Sequence, residues 1–463
     1  PEFQPVVAMM QFNMYHRYTV DEHTIQCISV LAGIERGELT EDHPLSASIL
    51  KRGVNRRVLY LALLMHDAGK GRDEDHSVVG ARLARQVARR LGLDPDEVAL
   101  VEWLVRHHLL MSDVAQKRDI TDPRTVRDFA RQVETVERLD LLTVLTVCDI
   151  RGVGPGVWNN WKAQVLRDLY NLTRPLIEDG RNDYARHARE QEARDALAAA
   201  LAAEGWPEEK IRAELARHKG PYWQGLPSSV HAIFARLLDG IREDEIRMDI
   251  TADPARDATR ACFALADHPG IFSRLAGALA LVGANVVEAR SYTSSDGWAT
   301  AVFWIQDAEG HPYEEHRLGR LRRMIERTLK GEVVAREALR ERERVTRRER
   351  EFRVPTTITI DNEASDIYTV IEVDTRDRPG LLYDLTRTIT AANLQIASAV
   401  IATYGVQAVD TFYVKDIFGL KLYSKSRQEA LRRRLLEAIE RGRPGAGAAG
   451  SGGAAGGSAG GRG

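Results

Sequence analysis

Cysteine is scarce: Cys27, Cys148 and Cys262 are the only three in 463 residues, far apart and without C-x-x-C spacing. That argues against an oxidising compartment and for a reducing cytoplasm. An excess of either charge is also missing. The formal net charge is -2 at pH 7, which gives no reason to expect nucleic acid or an anionic membrane as partner. No stretch approaches the roughly 18 uninterrupted apolar residues of a membrane span, and the N-terminus lacks a signal-peptide pattern. An initiating Met is absent too. The chain opens on Pro1-Glu2-Phe3, as expected of a piece of a longer protein. What is present is ordinary for a globular chain: 44% hydrophobic and 29% charged residues, with length for about two to four domains.

The most informative stretch is Leu59-Tyr60-Leu61-Ala62-Leu63-Leu64-Met65-His66-Asp67-Ala68-Gly69-Lys70-Gly71. Its first part is a run of good helix formers with almost no polar residue, which predicts a helix buried on most sides. Gly69 and Gly71 close it, just after an imidazole and a carboxylate that are costly to bury unless paired. Helical periodicity dominates the first 150 residues. Helices are predicted from Val20 to Leu31 with His23 in the first turn, Val54 to Asp67, and Val78 to Leu91. Further helices run from Val98 to Leu110 carrying His107-His108, from Thr121 to about Val136, and from Leu139 to Ile150. The last is nearly all apolar, yet it holds Asp149.

His16, His23, His43, His66, His76, His107 and His108 are seven of the thirteen histidines, and all fall in this first third. His23, His66, Asp67 and Asp149 come from three predicted helices, each on or beside an apolar run. Ionised carboxylates buried there need compensation of several kcal/mol, and a divalent cation is the most economical source. Imidazole with carboxylate suits Mn, Fe, Zn or Co. His76, His107 and His108 suffice for a second ion beside the first, with Asp67 bridging. Two ions about 4 Å apart clamp the attacking and leaving oxygens of a phosphoester hydrolysis. Lys70 either complements the helix dipole or reaches a non-bridging phosphate oxygen. His16 and His43 read as surface or packing residues. The order His…His-Asp…Asp on an all-helical background resembles the HD-domain phosphohydrolases.

From Gly152 to about Glu245 the chain reads as a helical extension, with Trp158 and Trp161 at i, i+3 docking it onto the metal domain. Past residue 255 an internal repeat begins. The stretch from Ala261 through Asp267, Pro269 and Gly270 to Leu275 matches Tyr368 through Asp377, Pro379 and Gly380 to Leu385, at an offset of 110 residues. Each copy reads as strand, Asp-x-Pro-Gly turn, amphipathic helix, strand, hairpin partner and final helix, a βαββαβ order with two helices on one face of a four-stranded antiparallel sheet. The repeat resembles ACT domains, which bind amino acids and other small effectors. Backbone N–H groups at the Asp-x-Pro-Gly turn suit a carboxylate; purely structural interaction domains are the other reading. The ACT Gly-x-Asn stands in the first copy as Gly283-Ala284-Asn285, whereas the second has Asn393-Leu394-Gln395. The two copies therefore need not hold a ligand identically. The candidate effector residues are Asp267, Pro269, Gly270 and Asn285, with Asp377, Pro379, Gly380 and Gln395.

The expected fold class is thus multidomain α and α+β: an all-helical HD domain followed by two ferredoxin-like ACT domains. The expected boundaries are 1–151 (HD), 152–255 (helical extension), 256–332 (ACT), 333–356 (Arg/Glu-rich linker), 357–440 (ACT) and 441–463 (a disordered Gly/Ala tail). With the segment from Met14 to His23, the Gly152-to-Lys162 loop and Ile401-Ala402-Thr403-Tyr404-Gly405, this order resembles the bifunctional uridylyltransferase/uridylyl-removing enzymes of PII nitrogen signalling. The resemblance implies a cytoplasmic hydrolase that removes UMP from a tyrosine of PII, stimulated by glutamine bound at the ACT domains. It implies one or two divalent ions (Mn or Mg first, Fe or Zn next) on His23, His66, Asp67 and Asp149, with His76, His107 and His108 beside them. Asp67 and Lys70 are the expected catalytic residues. The family's Gly-Ser…Asp-x-Asp nucleotidyltransferase motif does not occur here, so transferase activity is not expected. A homo-oligomer through the ACT domains is left open. Two alternatives stand. An alarmone-type HD hydrolase would carry Glu-Asp shortly after His-Asp, where this chain has Ala68-Gly69-Lys70-Gly71. A non-enzymatic effector sensor would use the metal to hold helices together.

Overall fold

The computed structural model describes residues 2–10, 18–179, 182–332, 354–404 and 406–441. His16, nearly all of the Arg/Glu-rich linker and the Gly/Ala tail lie outside them. The first part is helical: α1 (Val20–Glu35), α2 (Pro44–Lys51), α3 (Arg56–Met65), α4 (His76–Arg90), α5 (Pro95–Arg106), α6 (Leu110–Lys117), α7 (Pro123–Val133) and α8 (Val136–Gly152). Capping chemistry sets several of the starts. Asn55 accepts from the Val58 amide, Asp75 from Ser77 and Val78, and Asp94 with Glu97 forms a reciprocal capping box. Helices α3 and α8 run through the middle of one apolar core, which explains why their sequences are apolar nearly all round.

The extension follows as α9 (Asn160–Asp179), α10 (Asn182–Ala203), α11 (Glu208–Arg217), α12 (Gly220–Gly225) and α13 (Ser228–Leu238). Val157, Trp158 and Trp161 pack on the first core, and the Trp158 ring meets His43 edge-on at 4.8 Å. His43 is thus a packing residue.

The first repeat comprises β1 (Ile246–Asp253), β2 (Ala258–Ala266), α14 (Ile271–Leu281), β3 (Asn285–Thr293), β4 (Trp298–Gln306) and α15 (Glu315–Leu329). The second comprises β5 (Thr357–Asp361), β6 (Thr369–Arg376), α16 (Leu381–Ala391), β7 (Leu394–Tyr404), β8 (Gln407–Asp416) and α17 (Lys425–Arg441). The four-stranded antiparallel sheet with two helices on one face is as expected, but its order is a correction. Each described unit reads ββαββα, with the fourth strand placed ahead of the Asp-x-Pro-Gly strand. Strand β1 pairs antiparallel with β2, and β5 with β6, each at a sheet edge. Ile246, Met248 and Ile250 alternate with polar residues, the period-2 pattern of a half-buried edge strand.

The repeats join through β3 and β7 into one eight-stranded antiparallel sheet, ordered β1-β2-β4-β3-β7-β8-β6-β5. Helices α14 to α17 cover one face, where Phe263, Phe303, Leu385 and Phe412 form the core. The other face is covered differently along its length. Over the first repeat, Trp223 and Phe234 of the extension pack on Cys262, Val302 and Trp304. Near the middle, the segment after α6 docks through Asp119, whose amide donates to the Tyr413 hydroxyl (3.0 Å) and whose carboxylate accepts from Ser398 (2.7 Å). The sheet is therefore the floor on which the helical part rests. No helix among the described residues is long and apolar enough to cross a membrane.

Candidate metal centre

His66 is the residue at which α3 ends, and Asp67 follows in the turn that glycines close. The sharpness of that turn depends on Gly69. A Cβ there would be driven into the His76 carbonyl oxygen and would lie 2.7 Å from the Gly80 amide nitrogen. This close approach brings the first turn of α4, with His76, against the end of α3. His23 comes from the first turn of α1, Asp149 from α8, and His108 from just past the end of α5.

The side chains form two groups, His23, His66 and Asp149 with Cys27 in one and Asp67, His76 and His108 in the other, and Asp67 lies between them. On one side, His23 Nε2 lies 3.2 Å from His66 Nε2 and 3.1 Å from Asp149 Oδ1. Asp67 Oδ2 is 3.5 Å from His66 Nε2 and 3.8 Å from His23 Nε2. On the other side, Asp67 Oδ1 is 3.9 Å from His76 Nε2 and 4.0 Å from His108 Nε2. The ring orientations are fixed from behind. Nδ1–H of His66 donates to the Leu63 carbonyl and Nδ1–H of His108 to that of Val105, both at 2.7 Å. Both Nε2 lone pairs are thereby left to the site, the arrangement that metal-ligating histidines use. The Lys70 ammonium is 2.7 Å from Asp67 Oδ2.

Burial alone would push Asp67 and Asp149 up, but the surrounding imidazoles, and for Asp67 the Lys70 ammonium, outweigh it and hold both well below the usual carboxylate range. Burial presses His108 down to about 4 and lowers His76 as well. His23 goes the other way, because its hydrogen bond to Asp149 overcomes burial. Two carboxylates with imidazole lone pairs aimed between them, and Lys70 as the one fixed cation paired to either among the described residues, form a donor set that fits a divalent cation.

His107 does not join this group. Its ring stacks on Trp103 at 4.8 Å and its Nδ1–H donates to the Trp103 carbonyl. Neighbouring residues near a helix end point about 100° apart, so only one of His107 and His108 can face Asp67. Sequence reasoning passed over Cys27, one turn past His23, whose Sγ lies 3.6 and 3.8 Å from the two nitrogens of that ring. Near-equal distances put the sulfur beside the imidazole rather than along either lone pair.

The two Asp-x-Pro-Gly turns keep the same geometry. Asp267 N–H donates to the Gly297 carbonyl and Asp377 N–H to that of Val406. Gly270 and Gly380 have φ of +89° and +78° and precede helices whose first amides no side chain caps, which is what a carboxylate at that end needs. A side chain at Gly270 would touch Thr390 of the second repeat at 3.5 Å, so this turn faces the α16 end that leads to Gln395. Pro269, Pro379, Asn285 and Gln395 are exposed.

An HD domain is matched over residues 20–149 and an ACR9-like, ACT-like domain over residues 357–442. The chain is 67% identical over 442 residues to a bifunctional uridylyltransferase/uridylyl-removing enzyme of Cereibacter sphaeroides, covering 96% of this chain and 47% of that protein. A protein of the same name from Ruegeria pomeroyi is 64% identical over 455 residues, covering 97% and 50%. One from Azospirillum brasilense is 47% identical over 444 residues, covering 95% and 47%. The chain thus spans about half the length of the relatives it matches. Over that half, it is similar to the bifunctional uridylyltransferase/uridylyl-removing enzymes, with an HD domain as its first part.

Proposed function

We propose that this chain is a metal-dependent uridylyl-removing hydrolase that cleaves the UMP–tyrosine phosphodiester of a uridylylated PII protein in the cytoplasm, and that glutamine at the Asp-x-Pro-Gly turns stimulates it. The observation that carries the reading is the division of His23, His66 and Asp149 from His76 and His108 by one carboxylate, Asp67, with an oxygen toward each.

A bound divalent cation supplies Lewis acidity, making water a nucleophile near neutral pH and drawing charge off the phosphate. His23, His66, Asp67 and Asp149 would hold one ion, and His76 and His108 with Asp67 a second. The imidazole-rich set favours Mn, Fe or Zn over Mg. Lys70 sits 2.7 Å from Asp67 with its side chain partly open to solvent. It can exchange that carboxylate for a non-bridging phosphate oxygen and stabilise charge as the phosphorus is attacked. Water adds to phosphorus, the P–O bond to tyrosine breaks, and the electron pair leaves on a phenolate whose parent pKa is about 10. His76 is the most open of the ligating rings, with 28% of its side chain accessible, so substrate is expected to enter on its side. Helix starts without a side-chain cap after Gly270 and Gly380 support the effector role of the turns.

The test is UMP release from uridylylated PII by this chain with Mn²⁺, with and without glutamine. Release that rises with glutamine supports both parts. Release indifferent to glutamine removes the sensor, and no release from metal-loaded chain removes the substrate.

A further inference from the structure

A cavity lies away from the metal centre. Strands β3 and β7 pair only where Glu288, Ala289 and Arg290 face Val400, Ala399 and Ser398. Beyond that seam both continue, β3 back to Asn285 and β7 on to Tyr404, each paired on its far side to β4 or β8. Toward each other they part. Among the described residues, no β3–β7 pairs are formed beyond Glu288 and Val400 on this side of the seam. The start of α9 closes over this fork together with the segment after α6, leaving a cavity of about 810 Å³. That is within the range of small-molecule sites.

Charges around the cavity are unevenly matched. Arg290 is paired with Asp119 and Glu288, Arg118 with Glu372, and Arg256 with Glu288 at 3.6 Å while its guanidinium lies over the Trp304 ring. Lys162 differs from these. Its ammonium donates to the Val157 carbonyl at 2.8 Å, and no carboxylate among the described residues forms an ion pair with it. Burial presses it down to about 8, and no opposing charge offsets this. A partly buried ammonium beside a roomy cavity, with a carbonyl as its partner, is poorly compensated by the protein itself. The apolar part of the lining includes Val165, Leu172, Leu176 and Ile401.

We propose that this cavity is a ligand site for a small organic anion, a carboxylate or a phosphate ester, whose charge pairs with Lys162 and whose body lies in the fork between β3 and β7. It is separate from the metal centre, and of the effector-turn residues it includes Asn285 alone. Its walls come from the metal domain, the extension and both repeats, so an occupant bears on how the three are seated together. The inference does not depend on the hydrolase reading.

Fluorine NMR of the full chain tests it, in EDTA so that no ion at the metal centre attracts the probe. The probes are 4-fluorobenzoate and 4-fluorophenyl phosphate, one for each source of negative charge. At least one is expected to bind saturably. Lys162→Met is expected to weaken it about tenfold or more, and Lys162→Arg to retain it, with far-UV circular dichroism and melting unchanged in both variants. Stronger binding of one probe assigns the anion class. Failure of both probes to bind the wild-type chain at millimolar concentration, or equal binding by Lys162→Met, overturns the proposal.

Discussion

Asp119→Ala should loosen the helical part from the sheet. Asp119 lies 6% exposed, and its carboxylate meets Arg290 at 3.0 and 3.3 Å, the Ser398 hydroxyl at 2.7 Å and the Thr121 amide at 2.9 Å. Arg290 is itself 4% exposed, with Glu288 as its other acidic partner. Removing Asp119 leaves a buried guanidinium half-compensated and the Ser398 hydroxyl without its acceptor, a loss of about 3–5 kcal/mol. Arg290→Met should cost a similar amount, since it strands Asp119 and Glu288 near each other. The double variant should cost well under the sum, with a coupling of about 1–3 kcal/mol, because no orphaned charge remains at Asp119 or Arg290. The assay is urea unfolding followed by tryptophan fluorescence, with hydrogen exchange over residues 110–121 to localise the effect. Faster exchange there is expected in both single variants. Single variants within 1 kcal/mol of wild type, or strict additivity in the double, would refute the reasoning.

Three more outcomes follow from the same geometry. Asp67→Ala should lower UMP release by at least about 100-fold and weaken Mn²⁺ binding by calorimetry, while circular dichroism stays unchanged; hydrolysis at the wild-type rate would remove the carboxylate from the centre. Gly69→Ala should destabilise the chain by about 3 kcal/mol, measured by denaturant melts, because its Cβ meets the backbone of His76 and Gly80 rather than a movable side chain. Asp122, packed between α7 and Ser365 of the second repeat, is raised to about 6, mainly by burial. A raised carboxyl means that the folded chain holds its proton more tightly, so stability falls as pH climbs from about 4 to about 6 and stays lower above. Asp122→Asn should flatten that slope and gain up to about 3 kcal/mol at pH 7; an unchanged slope would contradict the assignment.

What could be read in the sequence was local or repeated. The helix ending in His66-Asp67 announces itself because its apolar run, its polar end and its glycines are contiguous. The repeat is legible because the Asp-x-Pro-Gly turn recurs with the same strands around it. His107 and His108 are indistinguishable in the sequence, because adjacency says nothing about which ring faces inward. Strand β1 carries its period-2 alternation in the sequence, but it lies upstream of the Asp-x-Pro-Gly turn by which the repeat is recognisable. The Asp119–Arg290–Ser398 contacts had no signal at all. Their members are 171 and 279 residues apart, and each alone looks like an ordinary surface residue. Lys162 was hidden for a related reason, since its isolation is defined by carboxylates that are not nearby.

The seam between β3 and β7 joins two like units as a dimer of single-repeat chains would, but within one chain. Two separate chains would lose translational and rotational freedom on pairing, about 4–15 kcal/mol, and would come apart on dilution. Here the connection is intramolecular, so its occupancy is set by an effective concentration that dilution does not alter. A response that travels through this seam should have the same midpoint at nanomolar and micromolar protein. The two repeats, carried on one polypeptide, are also free to differ in sequence, as Asn285 and Gln395 do.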